Sequence, residues 1–576
     1  MTEQTLSLAM TGSGGAGVMT VGQILVDAAA MSGWYGLMRR SLGPQIRGGE
    51  SAALLRFGTT QVVSHGDTFD VLLAFDWGNI ARFAAELPLR PDSVVLFDPD
   101  LGDVPEAIAR YGARQVAVPL SAAAKSAPGV RPNMVGLGVA AHLLSLSPED
   151  MRPQLEAALG DKGAEVVASS MRGLELGAAL AADLPESTWP ARPKPVAKGK
   201  PRWSITGNEA AGLGAVRGGI RFVAAYPITP STEVLEWLAP NLARIGGELV
   251  QCEDELCSVN MAIGASYGGV PALTATSGPG LSLMIEGLGM GIGAEIPVTV
   301  IDVQRGGPST GIPTKSEQSD FNIAVYGPHG DAPHIVCAPT SIPDCMGTVQ
   351  WAVAAAEAAQ CPAIVLSDQN MGQSRAIVDP PQPGGPSADR RIAAPADGEP
   401  YKRYALTNDG VSPMAVPGVK GGEYTADGLA HNERGTPSTQ AADHQAQLDK
   451  RLRKLETLDC DGIWAETEGD GPVAVIAFGS LTEPAREAVR RANGAARLIG
   501  VRVVLPLQPE NMAAALKGAT KALIVEQNHS AQFAHFLRGH YDLPPVVETL
   551  HRPGPLPIRP VEIVAAIESL KEGATR

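Results

Sequence analysis

Short apolar runs alternate with longer amphipathic stretches along most of this chain of 576 residues. The runs at residues 222–225, 298–301 and 473–478 are typical of strands that a parallel sheet buries on both faces. Helical periodicity follows at residues 18–31, directly after an apolar run at residues 6–10. Further strands are predicted at residues 51–57, 71–75, 94–97, 501–505 and 522–526. The alternation predicts a multidomain α/β protein with parallel or mixed sheets flanked by helices.

Breaks in this alternation divide the chain into predicted segments. These are an α/β domain at residues 1–182, a proline- and lysine-rich linker at 183–201, a second α/β domain at 202–379, an extended polar segment at 380–465 and a third α/β domain at 466–576. The polar segment could be disordered. Its length and its Tyr401, Tyr404 and Tyr424 favour an ordered belt across domains or onto a partner.

The overall charge and the hydropathy limit the partners of the chain. A net charge of −15 argues against nucleic acid. The longest apolar stretch, residues 281–303, is interrupted by Glu286, Glu295 and Asp302, so no membrane span is expected. The first residues do not combine a basic region with an apolar stretch, and a cytoplasmic location is therefore predicted.

The cysteines do not form a recognisable metal-binding pattern. They are Cys252, Cys257, Cys337, Cys345, Cys361 and Cys460. None forms a C-x-x-C pair, and no four have iron–sulfur or zinc spacing. They are interpreted as buried thiols, so no metal site is predicted here, and a redox metal centre would belong to another chain.

Two loops carry most of the chemical information. Ala-Tyr-Pro-Ile-Thr-Pro-Ser-Thr (residues 225–232) and Gly-Pro-Ser-Thr-Gly-Ile-Pro-Thr-Lys (residues 307–315) each follow a predicted parallel strand. Ligands of open α/β sheets lie beyond the carboxyl ends of such strands. Proline stiffens these loops, and their hydroxyls can bind carboxylates or phosphates without adding charge. A lone lysine is normally a solvated surface group, but beside these hydroxyls Lys315 is a candidate to bind a carboxylate.

An acidic triplet, Glu253, Asp254 and Glu255, opens the helix that follows a predicted strand. Acidic residues in a first helical turn ordinarily interact only with the helix dipole. The small apolar residues at 261–265 imply that this helix is deeply buried, and a buried carboxylate needs a cation or a protonated partner. The aminopyrimidine of thiamine diphosphate is one such partner, although the spacing alone does not select it.

The turn Gly-Ser-Gly-Gly-Ala-Gly at residues 12–17 satisfies G-x-G-x-x-G between a strand and a helix. A dinucleotide site would also need an acidic residue about 20 positions later. The chain has Arg39 and Arg40 there, so NAD is disfavoured and a multiply phosphorylated ligand such as coenzyme A fits better. A tight turn without a ligand remains the alternative.

Three further loops are ambiguous. Residues 41–50 could line a ligand cleft or form an interface loop in which Arg47 pairs with Glu50. Residues 276–280, Thr-Ser-Gly-Pro-Gly, indicate either close approach to a cofactor or close subunit packing. Gly-Asp-Gly at 469–471 precedes its strand instead of following it, and is interpreted as an ordinary turn.

Together these motifs resemble the 2-oxoacid:ferredoxin oxidoreductases, as a fused gamma–alpha subunit. Residues 1–182 resemble the gamma part and residues 202–576 the alpha part, so the resemblance covers nearly the whole chain. The two proline-rich loops are specific, whereas the glycine turn alone is not. The resemblance implies a thiamine-diphosphate pyrimidine-binding-type domain at 202–379 and a transketolase C-terminal-like domain at 466–576.

The implied activity is the reversible, coenzyme A-dependent oxidative decarboxylation of a 2-oxo acid, with electrons passing to ferredoxin. Thiamine diphosphate would be shared with a beta subunit that carries Mg²⁺ and a [4Fe-4S] cluster, in an (alpha–beta)2 heterotetramer. The gamma–alpha fusion favours 2-oxoglutarate. Pyruvate, branched-chain oxo acids or indolepyruvate are alternative substrates, and a non-catalytic docking subunit is the alternative of another class.

The resemblance also assigns roles to residues. The catalytic residues would be Glu255, which activates the pyrimidine, and Thr229, which binds the 2-oxo-carboxylate. The remaining substrate-binding residues would be Thr310, Thr314 and Lys315; Tyr226, Pro227 and Ile228 would contact the cofactor; and Gly12, Ser13, Gly14, Gly15, Gly17, Arg39 and Arg40 would bind coenzyme A. Lys315 stands where other members carry arginine, which keeps the charge but loses the bidentate geometry.

Overall fold

The computed structural model describes residues 5–43, 49–193, 199–395 and 400–572. It divides into two compact units. Unit 1 comprises residues 1–206, 374–382 and 559–561, and unit 2 comprises the rest of the chain. Residues 44–48 of the glycine-rich loop at 41–50, including Arg47, lie outside the described residues, so the proposed Arg47–Glu50 pair is not addressed.

Unit 1 is built on one mixed sheet. Numbered along the whole chain, its strands are β1 (Thr5–Ser13), β2 (Tyr35–Leu42), β3 (Glu50–Gly58), β4 (Phe69–Ala74), β5 (Leu89–Phe97), β6 (Arg114–Ala117), β7 (Trp203–Thr206) and β14 (Arg375–Val378). Its helices are α1 (Val18–Met31), α2 (Ile80–Phe83), α3 (Glu106–Ala109), α4 (Leu120–Lys125), α5 (Pro132–Leu143), α6 (Pro148–Leu159) and α7 (Ala164–Asp183). The strand order is β6-β5-β4-β1-β3-β2-β14-β7.

Both faces of this sheet are buried, which explains the continuous apolar runs of its strands. Leu8 and Met10 of β1 point to the side covered by α1 and α5, whereas Ala9 packs on the other side with Leu54 and Phe69. β1 lies between antiparallel β3 and parallel β4. The predicted strands and the helix at 18–31 are present, but β2 was missed.

Unit 2 contains the remaining elements. Its helices are α8 (Gly207–Gly218), α9 (Thr232–Ala243), α10 (Glu255–Tyr267), α11 (Gly278–Gly293), α12 (Phe321–Tyr326), α13 (Asp344–Ala359), α14 (Gln369–Gln373), α15 (Ala441–Glu456), α16 (Thr482–Arg491), α17 (Pro509–Leu516), α18 (Gln532–His540) and most of α19 (Pro560–Glu572). Its strands are β8 (Phe222–Ala225), β9 (Glu248–Gln251), β10 (Ala272–Thr276), β11 (Thr299–Gln304), β12 (Ile335–Cys337), β13 (Ala363–Asp368), β15 (Ala465–Glu468), β16 (Val473–Phe478), β17 (Ala496–Val501), β18 (Val503–Leu505), β19 (Lys521–Glu526) and β20 (Val546–His551).

The seven-stranded sheet of unit 2 has the order β18-β12-β13-β11-β10-β8-β9. Its strands pair in parallel except for β18, which is antiparallel to β12. The chain passes from β8 to β9 at one edge and then returns to place β10 on the other side of β8. The strand order therefore reverses between β8 and β10, where open α/β sheets ordinarily bind ligands.

The second sheet of unit 2 has the order β15-β17-β16-β19-β20, and only β15 is antiparallel. The apolar run at 501–505, predicted as one strand, is divided at Arg502. Its first residue ends β17, and the rest forms β18 of the seven-stranded sheet. The division arises because Arg502 is buried, with Nε 2.9 Å from Asp344 and Nη2 2.6 Å from Glu466.

The polar segment that begins at residue 380 makes buried anchors within unit 2. The Arg390 Nε lies 2.7 Å from a Glu357 carboxylate oxygen, and the Arg403 Nη2 donates to the Glu295 carbonyl at 2.7 Å. Such anchors favour the belt interpretation over disorder.

The α/β class is confirmed, with mixed and parallel sheets flanked by helices. The sequence assigned residues 203–206 and 375–378 to the second domain, but in the structure they form strands in the sheet of unit 1. The exact domain boundaries stay predictions. No helix within the described ranges is both long and apolar enough to cross a membrane.

Candidate active site

Four neighbouring strands of the seven-stranded sheet end at one edge and deliver the candidate residues. The loop with Thr229 follows β8, Glu255 begins the helix after β9, Gly278 begins the helix after β10, and Arg305 directly follows β11. Because these strands are parallel neighbours, the four segments meet at the point where the strand order reverses.

Asp254 and Glu255, which the sequence treated as one acidic group, have different surroundings in the structure. Asp254 is exposed and caps α10, its Oδ1 accepting the Cys257 N–H at 2.7 Å. The Glu255 side chain turns inward, and only 6% of the residue is exposed. Its carboxylate has no hydrogen-bond partner among the residues that the structure describes. The interaction with the helix end therefore falls to Asp254, and Glu255 is left for a ligand.

The glycines of the Thr-Ser-Gly-Pro-Gly motif make room for two carboxyl groups of this chain. A Cβ at Gly280 would lie 2.6 Å from the Glu255 Oε1, and a Cβ at Gly278 would lie 2.6 Å from the Asp320 Oδ2. Both side chains thus lie against the amino end of α11, where the helix dipole favours negative charge. Packing within one chain therefore explains the two glycines of the motif, an explanation that neither hypothesis from the sequence included.

Arg305 connects the two proline-rich loops and was missed from the sequence. Only 6% of it is exposed, and its Nη1 donates to the backbone carbonyl of Thr229. Burial lowers the pKa of Arg305, while the negative charges of Asp320 and Glu255 oppose that shift. Its Nε is buried and has no partner within the described part of the chain. The missed signal was a cation placed directly after an apolar strand.

The predicted residues of the first loop, which lies beside Arg305, differ in their exposure to solvent. Thr229 and Tyr226 are exposed, whereas Pro227 and Ile228 are half-buried. The loop is held by the Ser231 N–H, which donates to the Ile228 carbonyl at 2.8 Å. The structure therefore brings Thr229 to Arg305 through its backbone and leaves its hydroxyl accessible.

The second loop is closed by its own backbone. The Gly306 N–H donates to the Lys315 carbonyl at 3.0 Å, and the Ile312 N–H donates to the Gly306 carbonyl at 2.8 Å. Thr310 is exposed at the tip, Lys315 is half-buried, and the Thr314 Oγ1 is buried without a partner in the described ranges. Thr314 and Lys315 thus lie at the base of the loop, where the Lys315 carbonyl is hydrogen-bonded to Gly306, the residue that follows Arg305.

Two aspartates that the sequence did not single out complete the site. Asp302 lies opposite Thr276 in the β10–β11 pair and is 0% exposed, yet neither carboxyl oxygen has a partner among the described residues. Asp320 is partly exposed as a residue, but its Oδ2 is buried and equally unpaired. Burial raises the pKa of Asp302 well above its ordinary value, and Asp320 adds to the rise.

Buried polar groups are normally hydrogen-bonded, so the concentration of unpaired atoms here indicates a place for a ligand or water. Besides the two aspartates and the Arg305 Nε, the unpaired buried atoms of this region are Thr274 Oγ1, Ser277 Oγ and Thr314 Oγ1. Ser277 occupies the N-cap position of α11, but its hydroxyl does not cap the helix.

Unit 1 carries the second candidate site, at the carboxyl ends of β1 and β4. The Ser13 N–H and hydroxyl both donate to the Asp76 Oδ2, at 2.8 and 2.7 Å, and the Gly78 N–H donates to the Asp76 Oδ1 at 2.8 Å. Gly17 caps α1 with φ +81° and without a side-chain cap, and the Asn133 amide lies against it. The helix end is open to an anion, but Asp76 adds a negative charge that the motif did not predict.

The predicted coenzyme A residues do not all meet at this turn. Gly14 and Gly15 are exposed there, Gly12 is buried in β1, and the Ser13 hydroxyl is taken by Asp76. Arg39 and Arg40 lie within β2, which is separated from β1 by β3.

Only one of the two arginines shares a face with the helix after the turn. By alternation, Arg40 shares its face with Met38, which packs toward Gly22 of α1. Arg39 points to the opposite face, is buried, and lies 3.9 Å from Glu86. The structure therefore does not bring Arg39 to the face of the turn's helix, and its assignment to coenzyme A stays a prediction.

Comparison with protein families agrees with both units. Residues 213–450 match the model of the thiamine-diphosphate-binding region of pyruvate flavodoxin/ferredoxin oxidoreductases. Residues 7–180 match the model of pyruvate ferredoxin/flavodoxin oxidoreductases.

Individual relatives cover most of the chain. The alpha subunit of 2-oxoacid:ferredoxin oxidoreductase from Sulfolobus sp. is 29% identical, over 92% of this chain and 91% of the relative. The 2-oxoglutarate synthase subunit KorA of Methanothermobacter marburgensis is 35% identical, over 64% of this chain and 98% of the relative.

A solved structure covers still more. The 2-oxoglutarate:ferredoxin oxidoreductase from Magnetococcus marinus, with 2-oxoglutarate, coenzyme A and succinyl-CoA bound, is 34% identical, with a TM-score of 0.91 over 98% of this chain and 99% of the other. A match of this extent and identity confirms the family that the sequence motifs indicated. The chain therefore belongs to the 2-oxoacid:ferredoxin oxidoreductases.

Proposed function

We propose that this oxidoreductase subunit acts on 2-oxoglutarate, converting it with coenzyme A to succinyl-CoA and CO2 and passing the electrons to ferredoxin. The observation that carries the proposal is the buried, unpaired Glu255 carboxylate, close enough to the Arg305 guanidinium for the two charges to interact. The 34% identity to an enzyme with 2-oxoglutarate and coenzyme A bound supports this choice of substrate over pyruvate.

The residues around Glu255 fit thiamine diphosphate. When bound, this cofactor supplies a nucleophilic carbon that attacks the ketone of a 2-oxo acid and accepts the electron pair left by CO2. Glu255 would hold a ring nitrogen of its aminopyrimidine in the protonated form. The absence of side chains at Gly278 and Gly280 keeps the approach open, and the Ser277 hydroxyl remains unpaired within the described ranges. Tyr226, Pro227 and Ile228 would line the same approach.

Arg305 is the residue that fits the carboxylate of the 2-oxo acid best. Its buried guanidinium has an unused Nε donor in the described part of the chain, and its Nη1 already orients the backbone of Thr229. A carboxylate accepting from a buried guanidinium gains a charge-assisted hydrogen bond. The Thr229 hydroxyl would bind the same end of the substrate, and Thr314 and Lys315 would supply further donors from the base of the second loop. Thr310, exposed at the tip, would act only if that loop moved.

Coenzyme A would contact unit 1 at the glycine turn. The backbone N–H groups of Gly15 and the start of α1 would bind a phosphate, while the Gly14 N–H donates to the Gly49 carbonyl at 2.6 Å and would hold the turn in place. Arg40 lies on the face of the sheet that α1 covers. Asp76 would hold Ser13 in place instead of binding a phosphate itself. Arg39 has no part in this proposal because it lies beside Glu86 on the other face.

The remaining parts of the reaction would lie on other chains. The relatives are subunits of ferredoxin oxidoreductases, which supports a multi-subunit assembly. We propose a beta subunit that holds the diphosphate with Mg²⁺ and carries a [4Fe-4S] cluster, an (alpha–beta)2 arrangement, and ferredoxin as the acceptor.

Replacing Glu255 with glutamine in the complex with the beta subunit tests the catalytic proposal. The isosteric amide cannot hold the charge, so kcat should fall about a hundredfold or more. Glu253→Gln, two residues away and exposed, is the matched control and should keep nearly full activity. Turnover of Glu255→Gln close to that of the control would instead support a docking subunit.

A substrate panel tests the choice of oxo acid. The ratio of kcat/KM for 2-oxoglutarate, pyruvate, a branched-chain oxo acid and indolepyruvate should favour 2-oxoglutarate in the complete complex. A preference for pyruvate would reject this substrate while leaving the role of Glu255 intact.

A further inference from the structure

Asp302 and Asp320 form a pair of carboxyl groups behind Arg305 to which the proposed function gives no role. Asp302 shares a strand face with Gln304, two residues along β11. The Gln304 Oε1 accepts the Asp320 N–H at 3.1 Å. Asp302 is also paired in register with Thr276, two residues before the Gly278 backbone that Asp320 overlies. The hydrogen bond to Gln304, the strand register and the position of Asp320 over Gly278 therefore place the two aspartates at the same edge of the sheet.

The groups that face Asp320 are mostly acidic. Asp302 faces it from β11, Glu317 from its own segment and Arg305 from the end of β11, while α11 contributes the uncharged Gly278 backbone. Glu255 interacts with the same Arg305 from α10. Arg305 thus interacts with two carboxyl groups, Asp320 and Glu255. If both were ionised, the charge of Arg305 would be more than compensated and the carboxylate of a substrate would be repelled.

We propose that Asp320, placed beside Asp302 and Gly278, is a positioning residue that in its neutral form leaves the Arg305 guanidinium available to the carboxylate of the 2-oxo acid. The inference rests on the proposed function, since it assigns Arg305 to the substrate. A proton on Asp320 removes one negative charge from the cluster without removing a hydrogen-bonding group. Asp320 itself does not touch the reacting atoms in this arrangement.

The proton should make substrate binding depend on pH. Burial raises the pKa of Asp320 to about 7, with Arg305 opposing the rise and Glu317 adding to it. Below that pH Asp320 is neutral and Arg305 is free to bind the substrate. Above it, the ionised Asp320 competes with the substrate for the guanidinium. Binding of 2-oxoglutarate should therefore draw a proton from solvent when the pH exceeds about 7.

The test uses the complete complex, its steady-state kinetics and calorimetry. For the wild type, KM for 2-oxoglutarate should rise about fivefold or more between about pH 6.5 and pH 8.5, with a smaller change in kcat. Asp320→Asn should keep the low-pH KM and lose this dependence. Asp331→Asn, an exposed aspartate 11 residues further along, is the matched control and should retain it. Calorimetry in buffers of different ionisation enthalpy should detect proton uptake on binding at pH 8 in the wild type only.

Two outcomes would overturn the inference. One is an Asp320→Asn complex whose KM keeps the pH dependence of the wild type. The other is a wild-type complex that binds 2-oxoglutarate at pH 8 without proton uptake, a result that needs no variant. Asp302→Asn provides a second perturbation of the same pair and should shift the midpoint of the KM profile to lower pH. A wild-type complex that turns over no 2-oxo acid would reject the proposed function itself. This result differs from the two above, which would reject only the role of Asp320.

Discussion

Unit 2 buries carboxyl groups in two places and stabilises them in opposite ways. Glu295, just after α11, is 0% exposed, and the Lys450 Nζ lies 2.6 Å from each of its carboxylate oxygens. The Lys454 Nζ adds a contact at 2.7 Å. Asp302, on the next strand, is equally buried but has no hydrogen-bond partner among the described residues.

The two places differ because one needs a permanent charge and the other does not. Burial raises the pKa of Glu295, but Lys454, Lys450 and Arg403 together outweigh it and leave that pKa well below the ordinary value. Burial of Asp302 is instead reinforced by Asp320, so its pKa rises. Paired buried charges fix structure, whereas unpaired ones with raised pKa values mark functional sites. Glu295 ties the polar belt and α15 to the end of α11, and the aspartates serve the site at its beginning.

Glu295→Gln is the substitution from which we expect the largest effect on the stability of unit 2. The amide would leave Lys450 and Lys454 buried without a compensating charge, so unit 2 should lose about 3 to 5 kcal/mol of unfolding free energy. Equilibrium denaturation followed by a spectroscopic signal measures the loss.

The control for this change is Glu433→Gln. Glu433 pairs with Lys402 at 3.1 Å in the same belt, but both side chains are partly exposed. Its replacement should cost less than about 1 kcal/mol. Equal losses in the two variants would mean that the Glu295 cluster is no more than another surface ion pair.

The glycine at the amino end of α11 should matter next most, through activity instead of stability. A methyl group at Gly280 would lie 2.6 Å from the Glu255 Oε1 and must displace that carboxylate. A displacement of about 1 Å can cost about a hundredfold in rate, which corresponds to about 3 kcal/mol. Gly280→Ala should therefore lower kcat/KM by about that factor in the complete complex.

Gly289→Ala is the matched control on the same helix. A Cβ there meets nothing within 4 Å. Alanine also favours the helix over glycine, so this variant should be as active as the wild type and slightly more stable. Comparable activity in the two alanine variants would contradict the packing argument for the Thr-Ser-Gly-Pro-Gly motif.

Three acidic residues in one apolar run show what the sequence could and could not predict about buried carboxyl groups. Glu286, Glu295 and Asp302 all interrupted residues 281–303, and the sequence used them only to argue against a membrane span. In the structure Glu286 is exposed, Glu295 meets lysines from more than 150 residues later, and Asp302 faces the site. The local sequence pattern could not distinguish these three environments, because the residues that surround each acid come from distant segments.

The same reasoning explains which candidate residues the sequence could indicate. Glu255 and Thr229 belong to local motifs that follow a strand, and in the structure Arg305 interacts with both, while their roles stay predictions. Arg305 and Asp320 were missed because their roles depend on contacts across loops. Arg39 was assigned to the turn because proximity in sequence was taken for proximity in space, and alternation along the missed strand β2 sends it to the opposite face.

The two carboxyl clusters should also differ in how pH changes stability. A raised pKa means that the stability contributed by Asp302 is present below its unfolded pKa of about 4 and is lost as pH rises toward its folded value. As pH rises from 5 to 7.5 the wild type should therefore lose stability that Asp302→Asn does not lose. The pKa of Glu295 is lowered, so its contribution disappears only when the pH falls below about 4.

Denaturation of both variants at these two pH values separates the cases. Glu295→Gln should be less stable than the wild type at both pH 5 and pH 7.5, whereas Asp302→Asn should gain stability relative to the wild type between the two. A pH-independent difference between Asp302→Asn and the wild type would show that this carboxyl keeps one protonation state throughout.

The smallest effect should come from the acid beside the catalytic candidate. Asp254 is exposed and caps α10 through its 2.7 Å bond to the Cys257 N–H. Asp254→Ala should cost about 1 kcal/mol of stability, as loss of a helix cap usually does. Asp254→Asn should restore most of it, because asparagine caps nearly as well. Denaturation measures both variants. Since charge at this position is solvated, both variants should keep the wild-type pH dependence of KM that is expected from Asp320. A change in that profile would mean that the exposed cap and the buried pair act as one electrostatic unit.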